Sequence, residues 1–583
     1  MPRQTDIARD DAPLLRPSSS SSTLSSLHSD TSSLNYAARR SARRRVHQVR
    51  RGLAFASSIL CAIAAGAITV FSLYGHLLQS RLHFSQLQVN AIATAMSISM
   101  YIPVPILGYA CDRVGPAPLA IFAAVFGGGG YATAAALFHG GATAVALGNK
   151  SSVSGMVCAF VAIGMGTAGM YIAAITTCAK NFGQGRFRGL MLVAPIASFG
   201  LSAMLLSQIG SHLLCERRAD GTTGDVDVFK FFVFLSSLFF IAGLVGSVAL
   251  RILNEEDIID GAIEELERSG LLTGSEIFHR RGDRSYGAID QVTHGADTPN
   301  LMKDDDSVDE DDENARLKKT FLLNAETRRF LTDPTMWWFA AGFWLINGPG
   351  EAFINNLGTV IGTLYSPGDT GPRTTAATHV SIMAAVSTLA RLFTASLSDL
   401  LSPMPQSQHI QVGATAASAP SGLRRKFAVS RIVLFTVAAL IQSFGTGFLA
   451  SGAAQGHGER FWVVSGFVGA GYGAVFSVTP IIITMIWGVE NFGTNFGIIA
   501  LTPAVGSTMW GLIYSSAYQA GANTNPPLVS PADGSLEADI FCHGTQCYAG
   551  PFWAMTIATW VGVLMVLWAW KGKGGWAQRG VVI

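Results

Sequence analysis

Residues 343–362 read FWLINGPGEAFINNLGTVIG. The stretch is apolar enough to lie in a bilayer, yet Glu351 follows directly on Gly348-Pro349-Gly350, with Asn347, Asn355 and Asn356 close by. Read as the middle of a membrane span over about 336–364, it opens a second set of long apolar runs. A helix needs about 20 apolar residues to cross roughly 30 Å of hydrocarbon. Runs of that length centre on 53–74, 90–110, 117–138, 153–174, 189–210 and 229–250, then on 336–364, 376–397, 430–451, 462–487, 493–516 and 551–570. The expected protein is an all-α membrane protein with twelve transmembrane helices in two sixes.

Composition agrees. The 583 residues are 49% hydrophobic and 13% charged, with a mean hydropathy of +0.36. A net charge of +2 gives no whole-chain attraction to an acidic partner, and no nucleic acid is expected. About fifty polar residues precede the first run, so it does not read as a cleavable signal. Positive residues in short loops stay cytoplasmic. Arg39, Arg40, Arg43, Arg44, Arg45, Arg50 and Arg51 crowd the start of the first span and place the N-terminus there. With twelve crossings both termini are expected in the cytoplasm. The serine-rich arm (1–51) is too polar to bury a core and is expected to be solvated. The expected organisation continues with a first bundle (52–251), a cytoplasmic loop (252–334), a second bundle (335–571) and a tail (572–583). The loop carries the acidic run DDDSVDEDDE at 304–313, expected to be a solvated block. Its EEDIIDGAIEELERSGLL segment has apolar residues at helical spacing, as in a short amphipathic helix.

Cys61, Cys111, Cys158 and Cys178 fall in or beside spans and read as small packing residues. Cys542 and Cys547 share the non-cytoplasmic loop before the last span, where a disulfide is permitted, and Cys215 lies on the same side as a competing partner. No His/Cys spacing resembles a metal site. No GxxxxGK[ST] phosphate loop appears, so ATP-driven pumping lacks its motor, and neither a catalytic residue nor a cofactor is expected.

The two sixes echo one another, as parallel repeats do. GMGTAGMY at 164–171 answers GAGYGAVF at 469–476, and NFG recurs at 181–183 and 491–493. After the second span comes GYACDRVGPAP, which resembles the G-x-L-x-D-R-x-G-R-K loop of the major facilitator superfamily through Gly108, Asp112, Arg113 and Gly115. Pro116 and Ala117 replace its basic pair. A carboxylate at this boundary can meet helix N-terminal dipoles and arginine. RLFTASLSDLL places Asp399 at the equivalent point of the second half, with Leu400 in place of the arginine. NGPGEAFINNLGTVIG, NFGQGRFRGL and VENFGTNFGI resemble the nodulin-like and monocarboxylate-transporter-like branch. The chain as a whole resembles the fungal vacuolar monocarboxylate-transporter homologues, a group of probable transporters. That resemblance implies two six-helix bundles rocking about a midplane site.

Glu351 lies about 15 residues beyond Met336, hence roughly 22 Å along its span, near mid-membrane. Its surroundings there disfavour the charged form, so a proton can bind and leave as the cavity alternates. The Gly-Pro-Gly step is expected to break helical bonding and free backbone groups for a substrate. Asn347, Glu351 and Asn355 recur every four residues and share one helix face, expected to line the pathway or to tie span seven to its neighbours. Arg391, in STLARLFTASLSDLL, resembles the eighth-span arginine of monocarboxylate transporters and suits bidentate carboxylate binding. Ser387 stands where their acidic partner would be, and a structural pairing of Arg391 with Asp399 is the competing reading. Tyr171, Tyr472, Trp337, Trp338 and Trp344 read as interface anchors or packing, and Pro195 and Pro480 as kinks.

The expectation is a secondary active transporter of a small organic solute, proton-coupled and monocarboxylate-like, with a transport-inactive sensor or scaffold as the alternative. DDAPLL and ERSGLL fit acidic di-leucine sorting signals, through Leu14 and Leu15 and through Leu271 and Leu272, and point to adaptors and a vacuolar membrane, with the plasma membrane as alternative. Asn149-Lys150-Ser151 is the one glycosylation sequon.

Overall fold

The computed structural model describes residues 46, 48–82, 84, 86–146, 152–183, 187–217, 223–253, 320–365, 374–401, 429–524, 528–529, 536–537 and 542–581. Asn149, both di-leucine pairs, the serine-rich stretch, the acidic run and the amphipathic segment lie outside the described residues. Two compact units divide the chain, Met1–Gly52 and Leu53–Ile583. In the first, residues 46 and 48–52 are helical. Apart from the first turn of span one, all that follows concerns the second.

Among the described residues, eleven helices are long and apolar enough to cross a membrane: Gln48–Val70, Ala91–Val114, Pro116–Gly141, Val153–Phe182, Arg188–Gly210 and Val228–Ala249 as spans one to six, and Thr378–Leu401, Arg431–Ala450, Gly458–Trp487, Phe492–Ala522 and Ala549–Lys571 as spans eight to twelve. Span seven, Pro334–Thr363, is a helix of 30 residues, and it completes the twelve. Its hydropathy is lowered by Asn347, Pro349, Glu351, Asn355 and Asn356, the residues that make it interesting. Outward-facing side chains such as Val125, Leu244, Val248, Leu389, Phe393 and Leu564 are apolar and exposed, as lipid contact requires.

Boundaries shift in places. Span one begins at Gln48 and runs through a tight turn, Gly66–Val70, into Phe71–Leu82. Span two is interrupted before Val104, where Pro103 stands as the cap. Pro195 and Pro480 lie inside helices, and so does Pro503. Cys61, Cys111 and Cys178 are buried, whereas Cys158 is exposed on the outside of its helix rather than packed. Among the described residues, four short strands form two antiparallel ribbons, Cys215–Arg217 with Thr223–Val226 and Leu528–Val529 with Leu536–Glu537. Both sit in loops, before spans six and twelve. Cys542 and Cys547 are joined by a disulfide, leaving Cys215 as a thiol.

Span two packs on span eleven and span five on span eight, so the halves meet along two crossed pairs. Close approach explains the first. Gly108 faces the backbone carbonyl of Gly493 with no room for a side chain between them. Gly115 follows span two at a φ of 97°, a conformation that only glycine adopts without strain, and Pro116 then starts span three.

Candidate functional site

Glu351 is half-buried between the halves. Its Oε1 accepts a hydrogen bond of 2.7 Å from the Tyr472 hydroxyl on span ten and one of 3.4 Å from the Tyr101 hydroxyl on span two. One carboxylate oxygen is thus shared by phenols from both halves. The positions spaced by four on this helix grade from one environment to another. Asn347 is fully buried with neither amide atom partnered, Glu351 is intermediate, and Asn355 is exposed, its Nδ2 donating to Ser507 Oγ at 3.0 Å. Asn356 turns back on its own helix, its Nδ2 donating to the Ala352 carbonyl at 2.8 Å.

Span seven does not break at Pro349. The helix is continuous from Pro334 to Thr363. The glycines serve packing instead. Gly348 lies against Gly506 of span eleven, with Trp510 beside it, and Gly350 leaves the space occupied by the Tyr472 ring. One turn before Gly350, Gln442 Nε2 donates to the Ile346 carbonyl at 2.6 Å and ties span nine to span seven.

Arg391 is buried in span eight. Its Nη1 donates to the Ile196 carbonyl at 2.9 Å, and Nε has no partner. Its guanidinium carbon lies 5.5 Å from the Phe476 ring centre and 5.9 Å from that of Tyr472, within cation–π range. The Tyr472 that it faces is the one whose hydroxyl bonds Glu351. Tyr171 packs against Phe199 with ring centres 4.9 Å apart. Arg391 does not pair with Asp399, which binds elsewhere. Ser387 packs against Gly473. Tyr472, read from sequence as an anchor or packing, therefore belongs to the polar centre, whereas Tyr171 packs. Tyr101, in the middle of the apolar run 90–110, gives no such signal in the sequence. Trp337 and Trp338 are exposed, and Trp344 is half-buried with an unpartnered Nε1.

The motif residues join the two halves at one end. Asp112 is buried and paired with Lys180 Nζ at 3.0 Å. It also accepts from the Gly493 N–H at 3.1 Å, the Thr494 N–H at 2.6 Å and Thr494 Oγ1 at 2.8 Å, and so caps the start of span eleven across the two halves. Asp399 does the same in reverse, accepting from the N–H groups of Gly189 and Leu190, both at 2.9 Å, at the start of span five. Arg113 donates to Asn324 Oδ1 at 2.6 Å and stacks 3.8 Å over the Tyr109 ring. Among the described residues no His/Cys/Asp/Glu group is arranged to hold a metal.

No family model matches the sequence. Individual relatives do. A probable transporter named mch1 from Neurospora crassa is 54% identical over 551 residues, covering 91% of each chain. One from Gibberella zeae is 49% identical over 570 residues, covering 96% of this chain and 97% of its own. The chain belongs to the MCH1 family of probable transporters. Solved structures place that family in the major facilitator fold. A proton:xylose symporter, XylE, superposes with a TM-score of 0.54 at 12% identity, over 90% of this chain and 96% of its own. A bacterial homologue of ferroportin in an outward-facing state gives 0.53 at 9%, over 89% and 98%. At such identities the likeness concerns the fold alone.

Proposed function

We propose that the protein is a secondary active transporter that moves a small organic anion, monocarboxylate-like, together with a proton across a vacuolar membrane. The observation that carries the reading is the position of Glu351, whose Oε1 is held by Tyr472 from one half and Tyr101 from the other with the Arg391 charge nearby. An ionisable acid is costly at membrane depth and persists where it pairs or meets water. Loading Glu351 with a proton removes the negative charge that competes with an anionic cargo for Arg391. The cargo's carboxylate then takes the unpartnered side of the guanidinium. Release of the proton restores the competitor and favours departure of the cargo.

The moving bodies are 52–251 and 335–571, with the arm, loop and tail on the cytoplasmic side. The arginines at the start of span one support that orientation. It puts the Asp112 and Asp399 seal at the cytoplasmic face and opens the Asn355 end of the pathway to the lumen. The DDAPLL and ERSGLL sequences support the vacuolar address through sorting adaptors. Asn149 on the lumenal side is the glycosylation site in this topology.

The test is flux. Metabolite profiling of isolated vacuoles with and without the protein identifies the cargo, and uptake of that compound into proteoliposomes measures its coupling. Uptake is expected to follow an imposed proton gradient and to lose that response in Glu351→Gln. Gradient-independent uptake, or coupled uptake intact in Glu351→Gln, overturns the reading.

A further inference from the structure

Two arginines, Arg188 at the start of span five and Arg431 at the start of span nine, take no part in the transport reading. Both are buried, 6% and 2% exposed. Arg188 belongs to the first half and Arg431 to the second, and both stand beside the end of span eight. Arg431 Nε donates to Ser398 Oγ at 2.9 Å. Asp399, the next residue, accepts from the N–H groups of Gly189 and Leu190, the two residues that follow Arg188.

Neither guanidinium has the partner that its burial calls for. Taking a cation out of water is costly unless an anion meets it. Among the described residues neither arginine forms an ion pair, and the Asp399 carboxylate beside them is bonded to backbone amides. Arg188 Nη2 donates to Met485 Sδ, on span ten, at 3.0 Å, and its Nε has no partner. Arg431 Nη1 has none either. Nε and Nη2 lie on one edge of a guanidinium, the fork that grips two oxygens of a carboxylate or phosphate side by side. A thioether is a weak acceptor for one prong of that fork and leaves the other empty.

We infer that Arg188 and Arg431 form a binding site for a phosphate-class oxyanion, which bridges the two halves. Two of its oxygens meet Nε and Nη2 of Arg188, and a third meets Nη1 of Arg431. A carboxylate has only two oxygens, so a tetrahedral oxyanion spans both arginines where a monocarboxylate does not. Met485 yields the space, because an unbranched side chain with three rotatable bonds swings aside readily. The bound anion ties span five to span nine and so reinforces the contacts that Asp399 makes to span five. The site is independent of which solute is carried and of whether a proton travels with it. Free phosphate and the headgroup of a phosphomonoester lipid offer it the same chemistry.

Hydrogen–deuterium exchange on the full-length protein reads the site through peptides covering 188–194, whose amides lie beside it. One probe is inorganic phosphate, compared with chloride at equal ionic strength in phosphatidylcholine nanodiscs. The other is phosphatidic acid added to the nanodiscs in phosphate-free buffer. Exchange at 188–194 is expected to slow saturably, by about tenfold at ten times the half-saturating phosphate concentration, while 240–249 in span six keep their rate. Slowing by phosphate identifies a free anion as the ligand, and slowing by phosphatidic acid alone identifies a lipid headgroup. Arg188→Gln and Arg431→Gln are each expected to abolish the response. Arg188→Lys keeps the charge without the fork and is expected to bind about tenfold more weakly. Met485→Ala removes the competing sulfur and is expected to bind more tightly, a gain that misfolding does not mimic. The inference is overturned if neither probe slows exchange, if slowing persists in the glutamine variants or spreads equally to 240–249, or if Met485→Ala fails to tighten binding.

Discussion

The ring of Tyr472 fills the space in front of Gly350, with Cδ2 2.7 Å from where a Cβ on that glycine would stand. This contact puts the Tyr472 hydroxyl within 2.7 Å of Glu351, the very next residue of span seven. A glycine that reads as a helix breaker is therefore the residue that lets a phenol from span ten reach the acid.

Gly350→Ala should push the ring aside. Overpacking of this kind costs roughly 1–3 kcal/mol, and thermal unfolding in detergent is expected to show a Tm lower by several degrees. Tyr472→Phe keeps the ring and removes only the hydroxyl, so its Tm is expected to change less while coupled flux falls as in Gly350→Ala. An unshifted Tm in Gly350→Ala contradicts the packing argument.

Asp112 and Lys180 form a buried pair in which each partner neutralises the other. Removing one partner leaves a buried charge, at a cost of about 3–5 kcal/mol. Asp112→Asn and Lys180→Met are each expected to destabilise strongly, and the double variant much less than their sum. Additive losses in a double-mutant cycle would show that the two charges do not depend on each other.

Asp399 holds two backbone N–H groups at the start of span five. Asp399→Ala should cost about as much as losing a good helix cap, ~1–2 kcal/mol. The same substitution should also speed amide exchange at residues 188–191. Unaltered exchange there contradicts the capping role.

Arg579 makes a two-pronged ion pair with Asp333, both contacts at 2.9 Å, and Asp333 in turn caps span seven through the Thr335 N–H at 2.9 Å. Desolvation pushes the Asp333 carboxyl upward, but the bonds from Arg579 and Thr335 outweigh it and hold the carboxyl below its usual value. A folded-state value lowered in this way gives stability that is complete above the unfolded value of about 3.9 and is lost as the pH falls through the folded one. The Tm gap between the parent and Arg579→Ala is therefore expected to be constant from about pH 5 to pH 8 and to close below about pH 4. A gap that widens on acidification contradicts the sign.

The twelve spans were legible because hydrocarbon thickness imposes a length that hydropathy alone reveals, and the GYACDRVGPAP loop pointed to the superfamily. Glu351 and Arg391 stood out because charge is rare in such runs. Their partners did not, since a tyrosine within an apolar helix gives the same signal whether it packs, anchors or donates. Tyr101 and Tyr472 lie 250 and 121 positions from Glu351 in sequence, a separation that no local pattern spans. The pairing of Lys180 with Asp112 is hidden for the same reason, because the two stand on different helices. The Gly-Pro-Gly step misled because one missing donor does not end a helix, and its two glycines are there for close packing on Gly506 and Tyr472.

Accessibility at position 351 tests the account most directly. In a background without reactive cysteines, Glu351→Cys is exposed to a membrane-impermeant maleimide from each face in turn. The account predicts fast modification from the face toward which Asn355 lies and slower modification from the face sealed by Asp112 and Asp399. A cysteine at this position that reacts from neither face contradicts it.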